Sequence, residues 1–134
     1  MARVLDEAEG RVRHVPIQPH SRMPEILGAA DLVVLPQQDR RYTRAQVPGK
    51  LFEAMAMGKA IVASAVSDLP LILDGCGVLV PPGDQDAPDW AVAKLAADPD
   101  RIREPGRLAR EWCCASYDWN AMERLLREVF AGLA

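Results

Sequence analysis

Short apolar runs alternate with helical patterns along most of the chain. Leu32–Leu35 and Ala60–Ser64 are continuous runs of apolar or small residues, which predict strands buried on both faces. Residues 12–17 and Val78–Val80 are two further strand candidates. Because strands separated by helices pair in parallel, the pattern predicts a small parallel sheet.

Helical spacing fills the segments between these strands, at residues 20–30, 48–57 and 69–73. The second segment carries the clearest boundary signals. Pro48 suits the first helical position, and Gly58 suits the position just beyond the last turn.

The last third of the chain is helical in pattern from Asp86 onward. We expect interruptions at Pro99, Pro105 and Asp118. Residues 119–134 have apolar positions on one face, which predicts an amphipathic helix that docks on the rest of the fold.

The predicted fold is α/β, a Rossmann-like doubly wound parallel sheet forming one domain over residues 1–134. Such sheets usually have about five or six strands. The chain also starts without a strand–glycine-turn–helix opening. We therefore expect one or two N-terminal strands outside this sequence. The first strand would then be an exposed edge that could pair in a dimer.

Composition narrows the class of protein. A hydrophobic content of 49% supports a real core, and a net charge of −3 gives no reason to expect nucleic acid. No apolar run approaches the ~20 residues that span a bilayer, and the charged start is unlike a signal peptide. Three cysteines and two histidines offer no zinc ligand set, so we expect reduced thiols and no metal. The sequence predicts a cytoplasmic protein.

A long polar loop, PQQDRRYTRAQV, follows the second strand candidate and carries Arg40, Arg41 and Arg44. Loops of this length in compact domains tend to be functional. The loop leads into the helix start GKLFEAMAMG, where unpaired amides and the helix dipole favour a phosphate. We predict a pyrophosphate held by the amides of Gly49 to Leu51, with Lys50 and one or more loop arginines.

Two alternatives stay open at this helix. Lys50 could pair with Glu53 at i,i+3 while the arginines are merely solvated, and no G-x-G-x-x-G sequence strengthens the phosphate site. Glu53 is a lone carboxylate in an apolar helix, so it could accept both hydroxyls of a ribose or simply face solvent.

Other polar residues carry weaker signals. His14 and His20 lie near the end of the first strand candidate and could reach a ligand, although structural histidines are the preferred interpretation. Asp68 precedes a short helix and is interpreted as its N-cap rather than as a catalytic acid.

Several segments in order resemble one family. The stretch LGAADLVVLPQ…VPGKLFEAMAMGKAIVASAVSDLPLIL…GCGVLVPPGD is similar to the C-terminal domain of retaining GT-B-fold glycosyltransferases, the glycosyl transferases group 1 family. The trailing pattern, with an aspartate–tryptophan pair before the last helix, also resembles the end of that domain. The resemblance covers nearly the whole chain.

The resemblance implies a donor site for a nucleotide diphosphate sugar. Gly49 and Lys50 would lie at the diphosphate, the carboxylate of Glu53 would hold the ribose, and the segment from His14 to Ile17 would lie near the base. It implies hexosyl transfer with retained configuration, with no required cofactor or metal.

The expected partners of the chain also follow from the resemblance. They are the nucleotide sugar and a missing N-terminal domain or acceptor-binding partner, with no nucleic acid. The intact enzyme could associate peripherally with a membrane. We expect an isolated chain to bind donor weakly and to catalyse little or nothing.

The sequence departs from the family's Glu-x7-Glu pattern, because the first glutamate, which contacts the sugar, falls on Ala45. Family subgroups with a P-S-K variant also lack the double glutamate, and VPGK is most similar to those. This departure favours an alternative function, a non-catalytic nucleotide-binding or assembly module that kept the fold. A flavodoxin-like mononucleotide binder is a third hypothesis, less consistent with the order of the motifs.

Overall fold

The computed structural model of the protein describes residues 11–133. Residues 1–10 and Ala134, which belong to the predicted domain, lie outside the described residues. The elements in chain order are a 3-10 turn (His20–Arg22), α1 (Met23–Gly28), β1 (Leu32–Leu35), α2 (Arg41–Arg44), α3 (Gly49–Ala56), β2 (Ala60–Ser64), α4 (Leu69–Ile72), β3 (Val78–Val80), α5 (Ala87–Ala96), α6 (Pro99–Ser116) and α7 (Trp119–Ala131).

The three strands form one parallel sheet in the order β1-β2-β3. Leu32 lies opposite Ala60, and Val62 lies opposite Val78. This arrangement confirms the predicted α/β fold with a parallel sheet. Within residues 11–133 β1 is an edge strand, so the expected dimer edge would be β1 rather than the segment before it.

The predicted strand at residues 12–17 is wrong. This segment is not part of the sheet. Its apolar side chains gain no burial, because Val12 and Val15 are about half exposed and Ile17 is fully exposed. Pro16 also lacks the N–H that a ladder requires, which disfavours a strand here.

Two hydrophobic clusters cover the two faces of β2. Ile61 and Ala63 pack into the larger cluster with residues of α3, α4 and α6. Val62 points the other way and packs with Val80 and with Ala91 of α5. Since successive side chains of a strand alternate between faces, this division confirms a sheet with helices on both sides.

Helix α3 has the boundaries that its flanking residues predict, within one residue. Pro48 is the N-cap residue, with an extended backbone, rather than the first helical residue, and Gly49 begins the helix. Gly58 follows the last turn with φ +65°, the left-handed conformation that glycine adopts at least cost. The amide of Gly58 donates to the carbonyl of Met55 at 2.9 Å.

The interruption expected at Pro105 is wrong, because α6 continues through it to Ser116. The interruptions at Pro99 and Asp118 coincide with the starts of α6 and α7, where Asp98 and Asp118 accept backbone N–H bonds as N-caps. Helix α7 contacts α6 and is amphipathic as expected. Its apolar face is not covered by the described residues, as the large side chains at 125, 126, 129 and 130 are at least half exposed.

Candidate functional site

The start of α3 presents two backbone amides without a partner in the part of the chain that the structure describes. These are the N–H groups of Gly49 and Lys50, and Pro48 supplies no side-chain cap. The next amide, that of Leu51, donates to the carbonyl of Pro48 at 2.9 Å, and the Leu51 side chain is buried. The anion-binding capacity of this turn therefore lies in Gly49 and Lys50.

Gly49 and Lys50 are both exposed. A Cβ added at Gly49 would meet no atom within 4 Å, so the space beside this backbone is open. Lys50 forms no hydrogen bond or ion pair with any of residues 11–133. The alternative in which Lys50 pairs with Glu53 does not occur, because Glu53 has a different partner.

That partner is His20. Its Nε2 atom lies 2.9 Å from Oε1 of Glu53, although 33 positions separate the two residues. The Glu53 side chain is 29% exposed and that of His20 is 87% exposed, so the carboxylate is partly sheltered but reachable. No local signal in the sequence predicts this pair, since spacing along the chain does not show that the 3-10 turn meets α3.

A cleft of about 880 Å³ adjoins the start of α3 and includes three of the predicted site residues, His14, Ile17 and Lys50. Val15 and Pro16, from the predicted segment between His14 and Ile17, also line it, and sequence reasoning missed Gln18, Met23 and Ile26. A smaller cavity of about 190 Å³ next to it is lined by both His20 and Glu53, and Met23 borders both spaces.

The extended wall of the cleft is held by side-chain hydrogen bonds. Gln18 donates from Nε2 to the carbonyl of Pro16 at 3.1 Å and accepts from Nη1 of Arg22 at 2.9 Å. Arg22 also donates to both carboxylate oxygens of Glu25, at 3.0 and 3.1 Å. These bonds fix the segment against α1 without a strand.

The arginine-rich loop between β1 and α3 is ordered by Thr43, which is buried in α2. Its hydroxyl donates to the carbonyl of Gln38 and accepts the N–H of Arg40. At the start of the loop, the N–H of Gln37 donates to Oγ of Ser64 at 2.9 Å, which joins the ends of β1 and β2. Oε1 of Gln37 is buried with no partner among the described residues, a feature that sequence reasoning missed.

Arg44 is not among the residues that line the cleft. It forms a bidentate pair with Asp39, with Nε to Oδ1 at 2.5 Å and Nη2 to Oδ2 at 2.7 Å. The hydrogen bond from Arg44 lowers the pKa of Asp39, and Asp39 in turn raises the pKa of Arg44. Both side chains are exposed, so water screens this pair.

Other predicted features have plain outcomes in the structure. Asp68 occupies the N-cap position of α4 but forms no side-chain cap hydrogen bond. Cys76 and Cys113 are buried free thiols, and Cys114 is an exposed one.

Between residues 11 and 133 no helix has the length and apolar character needed to cross a bilayer. The same residues hold no group of three or more His, Cys, Asp or Glu side chains arranged for a metal ion.

Comparison with known proteins gives a family match. The family model described as "Glycosyl transferases group 1" matches residues 2–98. The chain is similar to an alpha-maltose-1-phosphate synthase of Mycolicibacterium smegmatis, at 34% identity over 84% of this chain and 30% of that protein. It is also similar to a D-inositol 3-phosphate glycosyltransferase of Nocardia farcinica, at 33% identity over 92% of this chain and 27% of that protein.

Among solved structures, the sucrose-phosphate synthase of Thermosynechococcus elongatus matches with a TM-score of 0.80 and 30% sequence identity. That match covers 98% of this chain and 34% of the other. The chain thus spans about a third or less of the length of the relatives it matches.

Proposed function

The chain belongs to the glycosyl transferases group 1 family, and from that premise we propose that it is the nucleotide-sugar-binding part of a glycosyltransferase. The whole enzyme would transfer a hexosyl group from a nucleotide diphosphate sugar to an acceptor. This domain would supply the donor site, and an acceptor-binding N-terminal domain or partner would supply the rest.

The observation that carries the proposal is the start of α3. Two adjacent residues there combine open space beside Gly49 with two amides and an ammonium group that have no partner among residues 11–133. A lysine in the first turn of a helix is unfavourable because its charge opposes the helix dipole, and a bound anion would remove this cost. Two linked phosphates of a nucleotide fit this combination of donors and charge.

The remaining predicted residues extend the site from the diphosphate to the nucleoside. Glu53 lies one turn along α3 from Gly49 and is exposed enough to accept the hydroxyls of a ribose. The base would lie in the cleft against His14 and Ile17, which share that cleft with Lys50. Arg44 would approach the phosphates only by leaving or sharing Asp39.

The chemistry we propose is electrostatic. When the bond between the sugar and the diphosphate breaks, negative charge grows on the departing phosphate oxygens. Fixed amides and the Lys50 ammonium stabilise that charge, and the proposal requires no metal. We assign no catalytic residue, because Ala45 stands where the family carries its sugar-contacting glutamate. Transfer would retain the configuration of the sugar, in a cytoplasmic enzyme.

The binding site can be tested on the 134-residue chain by NMR titration with UDP, GDP, ADP and inorganic pyrophosphate. We expect amide signals of Gly49, Lys50 and Glu53 to shift at millimolar ligand. Glu53→Ala should weaken nucleotide binding by about tenfold, the effect of a lost hydrogen bond to a charged group, while pyrophosphate binding stays. Glu123→Ala, an exposed carboxylate of α7, is the control and should bind as the unchanged chain does. No shift with any of these ligands would refute the site.

Ala45 favours a second candidate, a nucleotide-binding or assembly module that has lost transfer activity. The two candidates predict the same NMR titration and differ in turnover. Transfer of sugar from several nucleotide sugars by the full-length protein would support the enzyme, and tight binding without turnover would support the module. Analytical ultracentrifugation of the 134-residue chain tests the dimer expected at the exposed β1 edge, since a monodisperse monomer contradicts it.

A further inference from the structure

We propose that His20 is a positioning residue for nucleotide recognition, which holds the Glu53 carboxylate in the orientation that receives the ribose. This inference rests on the proposed donor site. The sequence alone favours a merely structural role for this histidine. The inference gives a function to the contact between the 3-10 turn and the Glu53 carboxylate of α3.

The hydrogen bond occupies one carboxylate oxygen of Glu53 and leaves the other available to a ligand. Nε2 of His20 holds Oε1 at 2.9 Å, while Oε2 of Glu53 has no hydrogen-bond partner among residues 11–133. A ribose diol needs an acceptor whose plane and direction are fixed. Without His20 the glutamate would rotate about three side-chain bonds, and the ligand would have to order it.

The position of His20 links the separate parts of the site. His20 begins the 3-10 turn that leads into α1, whose residues Met23 and Ile26 line the cleft together with Lys50. Glu53 and Lys50 lie on the facing helix α3. The His20–Glu53 bond therefore joins the wall proposed for the base to the helix proposed for the diphosphate, and the ribose lies between them in a nucleotide.

A purely structural role for this bond predicts a different result. The His20 side chain is 87% exposed, and hydrogen-bonded pairs so open to water contribute little to folding. Removing the imidazole should therefore leave stability nearly unchanged. A selective effect on ribose recognition would separate the positioning role from a structural one.

The experiment compares ribonucleoside diphosphates, their 2′-deoxy counterparts and inorganic pyrophosphate as ligands of the 134-residue chain. We expect the unchanged chain to prefer the ribonucleotide by about tenfold. His20→Ala should reduce that preference by about two- to fivefold, the range for so exposed a bond, with the same melting temperature and the same pyrophosphate affinity. His20→Gln, whose amide can still donate to Glu53, should restore most of the preference. Glu123→Ala, which removes an exposed carboxylate of α7 outside the proposed site, is the control and should keep it.

The outcomes distinguish this inference from the proposed function. If the unchanged chain binds neither nucleotides nor pyrophosphate, the donor site is wrong and the inference falls with it. If the chain binds them but His20→Ala keeps the ribose preference, only the inference is overturned. Tighter binding by His20→Ala would also overturn it, because the histidine would then compete with the ribose.

Discussion

Gly106 of α6 packs directly against the backbone of Gly58, at the turn that follows α3. A Cβ at position 106 would overlap the carbonyl oxygen of Gly58 and lie within 2.9 Å of its carbonyl carbon. Beside this contact, a guanidinium nitrogen of Arg110 donates to the carbonyl of Ala56, and the thiol of Cys113 lies 3.7 Å from the carbonyl of Phe52. Helix α6 thus supports the end of the helix whose start is the proposed phosphate site.

Gly106→Ala should destabilise the fold by about 1–3 kcal/mol, since the added methyl group must push two backbones apart. Urea denaturation followed by circular dichroism measures the loss. The control is Gly132→Ala, where the new Cβ would be 3.6 Å from the nearest carbonyl oxygens and no clash arises. Equal stability of the two variants would mean that the helices do not approach as closely as described.

The same contact explains why one prediction from the sequence failed. Pro105 and Gly106 are both poor residues for a helix interior, so the local pattern favours a break. The helix continues because the missing side chain at Gly106 allows α6 to pack on the turn at Gly58, and Ala109 and Cys113 of the same helix are buried. Tertiary packing overrides local preference there, and a local pattern does not contain that information.

Elsewhere in the fold and the site, features set by local sequence could be predicted, and features set by tertiary packing could not. The strands at Leu32–Leu35 and Ala60–Ser64 could be predicted because both faces of each run are apolar. The burial predicted for both faces holds for β2 and is wrong for the edge strand β1, where Val34 is 39% exposed. The start of α3 could be predicted because cap residues act locally. The pairing of His20 with Glu53 could not, since it depends on how distant elements pack. Residues 12–17 show the opposite error, a short segment with apolar residues that pairs with no strand within residues 11–133.

Asp39→Asn should strengthen pyrophosphate binding by about two- to fivefold, the range expected for an exposed ion pair. The change releases Arg44 from its bidentate partner and removes a negative charge from the loop. Isothermal titration calorimetry of the chain measures the affinity. In the Asp39→Asn background, Arg44→Ala should cancel the gain. A gain that persists without the arginine would come from the altered charge alone and would remove Arg44 from the site.

Alkaline pH should destabilise the protein through its buried thiols. Burial raises the pKa of Cys76, helped by the charge of Asp74, and burial raises the pKa of Cys113. A thiol with a raised pKa in the folded state contributes stability that is complete below the unfolded pKa of about 8.5 and is lost as pH rises through the folded pKa.

The free energy of unfolding should therefore fall as pH rises above about 8.5, and it should fall less in the double variant Cys76→Ala/Cys113→Ala. Urea denaturation at a series of pH values gives this slope. Cys114→Ala should reduce the slope less than the double variant does, because Cys114 is exposed and its charge raises the pKa of Cys113 less than burial does. A double variant with the slope of the unchanged protein would place the alkaline loss elsewhere.

Lys50→Glu should change stability and binding in opposite directions. In the free protein a carboxylate in the first turn of α3 interacts favourably with the helix dipole where the ammonium does not, which should stabilise the fold by about 0.5–1 kcal/mol. With a diphosphate, the same carboxylate repels the ligand from the amides of Gly49 and residue 50, and pyrophosphate affinity should fall by at least about tenfold.

Thermal unfolding with and without pyrophosphate tests both effects on one sample. The unchanged protein should melt at a higher temperature when pyrophosphate is added, and Lys50→Glu should melt higher without ligand and gain nothing from it. Lys59→Glu, beyond the other end of α3, is the matched charge reversal and should keep the ligand response. Because a lysine that served only solubility would lose no ligand response on reversal, the opposite signs at position 50 are what a phosphate-binding helix start requires.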